Sequence, residues 1–133
     1  MNDLRKIRIL LLLLILAIST GCNRDEDSIL LKFLGEYITE DSCGPSNTVY
    51  TMVIREKNEN NKELYLENFG GYGATIVARV DDKNPDKIKI DTYSDNLHIV
   101  GEGTINNERN KIVFTYDTSN NGYSVSCSSI AKK

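Results

Sequence analysis

The chain of 133 residues contains no tryptophan, one histidine, two prolines and three cysteines. Each shortage excludes a chemistry. A zinc site takes four ligands in close spacing, and neither Cys-x-x-Cys nor His-x-x-x-His occurs. A thiol nucleophile wants a base beside it, and His98 is the single imidazole. Nucleic-acid binding rests on clustered Lys and Arg, whereas the formal charge here is −3 and no basic cluster is present. Gly70, Gly71 and Gly73 lack the Gly-Lys-Ser/Thr and the helix of a phosphate cradle. Asp81, Asp82 and Asp86 flank Pro85 without the regular spacing of a calcium loop. The expectation is a protein that is not an enzyme and uses no metal and no cofactor.

Long apolar runs are also scarce. The single one, Ile9 to Ile18, follows Arg5, Lys6 and Arg8. It is half the length needed to cross a hydrocarbon core and has the length of a signal-peptide hydrophobic region. Ser19-Thr20-Gly21-Cys22 comes directly after it and resembles the bacterial lipobox. The resemblance implies cleavage between Gly21 and Cys22 and acylation of the Cys22 sulfur. Several acyl chains make a stable membrane anchor where one would be marginal. Residues 1–21 are then a signal. Its removal takes away three cations and Asp3, which leaves residues 22–133 at −5.

Asn23-Arg24-Asp25-Glu26-Asp27-Ser28 follows, so residues 22–28 read as an acidic tether repelled by an anionic membrane surface. The tether is similar to the acidic export signal of Bacteroidota surface lipoproteins. That implies an outer-membrane, cell-surface location, with the membrane as a partner through the lipid at Cys22.

In an oxidising compartment an even pair of cysteines remains, Cys43 and Cys127, near the two ends of residues 29–133. A disulfide is expected, closing a long loop; a free thiol nucleophile or metal ligands are the alternatives.

Ser28-Ile29-Leu30-Leu31-Lys32-Phe33-Leu34 has a cap residue and apolar residues at helical spacing, which predicts a short helix ended by Gly35. Beyond it the hydrophobic period is two, with turn signals at short intervals. Strands are predicted over 36–42, 48–57, 63–69, 74–80, 87–93, 97–105, 111–117 and 123–128. Short connections favour antiparallel neighbours in a meander. One apolar face per strand calls for a barrel or a sandwich. Closure would pair the first strand with the last, where Cys43 and Cys127 lie, so an eight-stranded antiparallel meander barrel behind a short N-terminal helix is expected.

Phe33-Leu34-Gly35-Glu36-Tyr37 is similar to the Gly-x-Trp opening of lipocalins and related calycin barrels, with Tyr37 in place of Trp. The turn Phe69-Gly70-Gly71-Tyr72-Gly73, the strand Val100-Gly101-Glu102-Gly103 and the late Tyr-x-Val-x-Cys strand look like the small lipocalin-like lipoproteins of Bacteroidota. The resemblance implies a fold and a location, and no activity.

His98 is out of phase with Leu97 and Ile99 and should face solvent. Gly101 and Gly103 share an inward face and should relieve crowding. Seven tyrosines are the richest feature. Tyr37, Phe114, Tyr116 and Tyr123 fall on faces read as inward and are the candidate ligand-binding residues. An eight-stranded barrel either fills with side chains or holds one small ligand; a filled barrel is favoured in a domain this short. The expected function is binding of a small apolar or glycan ligand at the cell envelope, held by the barrel mouth or the loops. The alternative is a lipoprotein inhibitor or protein-interaction module with a solid core.

Overall fold

A computed structural model describes residues 28–133. The signal, Cys22 and most of the acidic tether lie outside the described residues. Eight strands follow in order: β1 (Gly35–Cys43), β2 (Ser46–Asn58), β3 (Glu63–Glu67), β4 (Thr75–Val80), β5 (Lys87–Ser94), β6 (Leu97–Ile105), β7 (Lys111–Asn120) and β8 (Tyr123–Lys132). Each pairs antiparallel with the next, and β8 pairs back onto β1 to close the barrel.

The expected meander and closure are both present, and Cys43 and Cys127 sit at the closing pair. They are direct partners in the β1–β8 register. Their sulfurs are bonded, with Cα atoms 4.2 Å apart. Directly opposed residues in the narrow pairs of an antiparallel ladder lie about 4.5 Å apart, so the cross-strand position accounts for the short span.

The predicted helix over 28–34 is a correction. Residues 29–33 are turns, with N–H groups bonded to the carbonyl three residues back: Leu31 to Ser28, Phe33 to Leu30 and Leu34 to Leu31. The segment is too short to propagate a helix. Its three-residue spacing instead sends Leu30 and Phe33 into one end of the barrel, where both are fully buried.

Boundaries differ where small residues carry the pattern. β3 stops at Glu67, since Asn68 takes a left-handed backbone and Phe69–Gly71 form a 3-10 turn. β8 continues to Lys132 because Ser129 and Ala131 keep the inward phase without looking hydrophobic.

The core is continuous from end to end. Phe33 and Leu30 close one end, Phe69 folds into the other, and the wall contributes Met52, Ile54, Leu64, Leu66, Ile88, Ile90, Ile112 and Phe114. Large rings oppose glycines across the β6–β7 pair, Gly101 with Tyr116 and Gly103 with Phe114. A methyl group on Gly101 would lie 2.3 Å from the Thr115 carbonyl oxygen, and one on Gly103 2.5 Å from the Phe114 ring. The two glycines therefore make room for the rings, as their inward phase suggested. Eight strands leave an interior just wide enough to fill, and here it is filled.

Candidate functional site

The two ends of the barrel differ. One carries the entering segment 28–34, the C-terminal Lys133, and the turns after β2, β4 and β6. Lys32 bonds Asp86 across this end, and the Lys133 ammonium reaches the Lys32 carbonyl. The opposite end carries the disulfide, the 68–74 loop, and the turns between β5 and β6 and between β7 and β8. We call the second end the mouth.

A buried polar cluster underlies the mouth. Asp41 is only 4 % exposed and has no cationic partner among the described residues. Hydroxyls hold it instead: Tyr116 donates at 2.5 Å, Ser129 at 3.0 Å and Tyr50 at 3.4 Å. The Tyr50 hydroxyl in turn accepts the Gly70 N–H at 2.9 Å. Hydrogen bonds to an ionised group are stronger than neutral ones, so the cluster ties the 68–74 loop to β1, β2, β7 and β8. Burial pushes the tyrosines' pKa up at Tyr50 and Tyr116, with the Asp41 charge adding to it, and burial alone does so at Tyr37. Sequence reading missed Asp41. Its signal was present, a carboxylate in phase with Tyr37 and Thr39 on the inward face of β1.

Glycine at 70 and 71 is required by the loop. Both have positive φ, and a methyl group on Gly70 would lie 2.6 Å from the Tyr72 ring. The turn brings Phe69 against Phe114 (5.4 Å between centroids, edge to face) and Tyr116 (4.8 Å).

On one side of the mouth the wall itself parts. β4 and β5 pair only through Ala78–Val80 with Ile88–Ile90, and toward the mouth they part. A cleft of about 370 Å³ lies there, with Phe69, Ile76, Leu97 and Ile99 as its apolar floor. Tyr72, Asp95, Asn96 and Asn120 stand around it.

The candidate ligand residues do not come together. Tyr37 is at the opposite end, its hydroxyl donated to the Phe33 carbonyl at 2.8 Å. Phe114 and Tyr116 are buried in the filled interior. Tyr123 has the inward phase yet is 82 % exposed. The reason is geometric: β1 pairs with β8 only from Cys127 onward, so residues 123–126 project past the barrel interior. The cleft residues Leu97, Asn96 and Asn120 were invisible from periodicity, because they lie in or beside turns.

Other expectations can be placed. His98 is on the outer wall, as its phase requires, stacked on Tyr93 and bonded to Asp91. Asp81, Asp82 and Asp86 each pair with a cation, namely Lys89, Lys62 and Lys32. Among the described residues no cluster of His, Cys, Asp and Glu could hold a metal. No helix among them is long and apolar enough to cross a membrane. Cys22 and Gly21 lie outside the described residues.

No family model matches the chain, and no curated protein matches it significantly. Solved structures do match. A redesigned β-barrel aligns with a TM-score of 0.56 and 15 % identity over 80 % of this chain and 95 % of that one. A Bacteroides fragilis protein called a "putative outer membrane protein" aligns with a TM-score of 0.50 and 18 % identity. That alignment covers 80 % of this chain and 53 % of the Bacteroides protein, so the chain spans about half its length. At these identities the likeness establishes the fold: this chain is an all-β, eight-stranded antiparallel barrel with meander order.

Proposed function

We propose that the chain is a lipocalin-like lipoprotein of the outer membrane, acylated at Cys22 and displayed on the cell surface. In this reading its mouth binds a small apolar or glycan ligand. The observation that carries it is the polarity of the barrel. Ser28 enters at the closed end, and six residues of tether reach at most about 20 Å from Cys22. A lipid at Cys22 therefore holds the closed end to the membrane and turns the mouth away from it. The mouth cleft falls within the usual size range of small-molecule sites, about 300–1,000 Å³, with an apolar floor and a few polar groups at the rim. The Bacteroides protein called a "putative outer membrane protein", which shares the fold, supports the envelope location.

Native mass spectrometry of the protein purified from its own membrane tests the reading. The expected result is an acylated chain with a retained small molecule that Tyr72→Ala loses. An intact mass unchanged by delipidation would sink the anchor, and a bare chain in every preparation would sink the ligand.

The projecting β7–β8 hairpin favours a second reading, a protein-interaction module over a solid core. Its tip exposes Tyr123 and Val125. Co-purification of a protein partner that depends on Tyr123, with no small molecule retained, would select it.

A further inference from the structure

A second cleft lies on the outer wall beside the mouth. The registers of β5, β6, β7 and β8 place Tyr93, His98, Ser119 and Ser124 in one row. A second row, two residues along each strand, holds Asp91, Val100, Asp117 and Ser126. Alternation points both rows outward. The Tyr93 and His98 rings are stacked, with centroids 4.3 Å apart and planes 5° from parallel. His98 Nε2 is 2.8 Å from Asp91 Oδ1, and Ser126 donates to Asp117 at 2.6 Å. Tyr123 rises from the hairpin tip on the other side. Between the two tyrosines is a cleft of about 390 Å³, lined also by Asn96, Asn120, Asn121 and Ser124.

Its composition selects a ligand class. His98 covers the face of Tyr93 that looks along the row into the cleft, so the stacked pair presents its His98 face to the cleft and the Tyr123 ring, 82 % exposed, stands across from it, both open to a flat apolar surface. Beside the His98 ring, the side chains between them (Asn96, Ser119, Asn120, Asn121 and Ser124) are amides and hydroxyls, which donate and accept without carrying charge. A wholly apolar ligand would leave those groups without partners, a costly outcome once water is displaced. No Lys or Arg lines the cleft, and Asp91 and Asp117 stand on the adjoining wall, so phosphate, sulfate and nucleic acid are repelled. A pyranose ring has the complementary form, with apolar C–H faces and a rim of hydroxyls. We propose that this cleft is a subsite for a neutral saccharide, with one ring stacked on the His98 face of the Tyr93–His98 pair and Tyr123 closing over it. The site touches the mouth at Asn96 and Asn120, but it depends neither on acylation of Cys22 nor on what the mouth holds.

The test is calorimetric titration of the intact chain, in a non-glycosidic detergent, with maltohexaose, xylohexaose, mannohexaose and chitohexaose. Amide chemical shifts, read in parallel, locate the site. Binding of at least one of the four is expected, with shifts at residues 93–98 and 119–124. His98→Ala and Tyr123→Ala should each weaken it about tenfold, the scale of one aromatic contact. Tyr93→Phe should retain it, which separates a lost platform from a lost fold, and Tyr72→Ala at the mouth should leave it unchanged. Absence of binding by all four sugars, or binding that survives both alanine substitutions, would overturn the proposal. Binding abolished by Tyr72→Ala alone would overturn it too and assign the sugar to the mouth.

Discussion

Tyr116 on β7 donates its hydroxyl to Asp41 on β1 across 2.5 Å, in the interior of the barrel. The two strands are not neighbours; β8 lies between them. The bond therefore spans the interior over the closing strand and braces the ring at the level of the disulfide. Removing the hydroxyl with Tyr116→Phe takes a donor from a buried carboxylate. Hydrogen bonds to charged groups contribute about 1.5–3 kcal/mol, and a loss of that size is expected in urea unfolding. Combined with Asp41→Ala, the two losses should fall short of additivity, because both delete the same bond.

Alkaline pH should unfold the barrel through its interior tyrosines. Burial raises the pKa of Tyr37, Tyr50 and Tyr116, whereas an unfolded tyrosine ionises near about 10. The folded state thus resists ionisation that the unfolded state permits. The stability they contribute is full below about pH 10 and falls as pH rises beyond it. Tyrosinate absorbance followed together with circular dichroism should show these three ionising only as the β signal disappears. Complete ionisation of all seven tyrosines with the β signal intact would contradict this.

Gly101→Ala should be among the most damaging single methyl additions to the wall. Its new carbon would meet the Thr115 carbonyl at 2.3 Å and the Tyr116 Cα at 2.5 Å. These are backbone atoms that a rotamer change cannot move, so a cost at or above the usual range for overpacking, about 1–3 kcal/mol, is expected. Gly103→Ala meets mainly the Phe114 ring, which can tilt, and should cost less. Denaturation midpoints of the two variants settle the order.

The disulfide closes a loop of 84 positions. On the chain-entropy model its loss costs roughly 4.5 kcal/mol. Cys43→Ser with Cys127→Ser, or reduction of the native chain, should lower the melting temperature accordingly. A melting curve insensitive to reductant would show that the β1–β8 pairing holds without it.

Much of this architecture is legible in the sequence, because alternation is a local signal and every strand shows one face to a filled core. The strands from β4 to β7 are each found by their isoleucines, valines and aromatics. The same logic fails where phase and burial separate. Tyr123 keeps the inward phase after the barrel interior has ended, and nothing in its neighbours marks that point. Ser129 and Ala131 keep the phase while lacking the hydrophobicity that would reveal it. The segment 28–34 has a helix's spacing, but its apolar residues are used as a stopper. The clefts were harder still. They depend on where β4 parts from β5 and how far the β7–β8 hairpin projects, and both are set by pairing between segments distant in the chain.

The parting of β4 from β5 lies halfway round the eight-stranded ring from the β8–β1 closure. One side of the cylinder is riveted by a covalent bond, while the other is fastened through three residue pairs. Local opening follows the weakest backbone pairing. Breathing should therefore begin at the β4–β5 side, like a clasp hinged on the cysteines, and widen the mouth without disturbing the closing strands. Exchange of amide hydrogens would then be graded around the circumference, fastest at the clasp and slowest at the hinge.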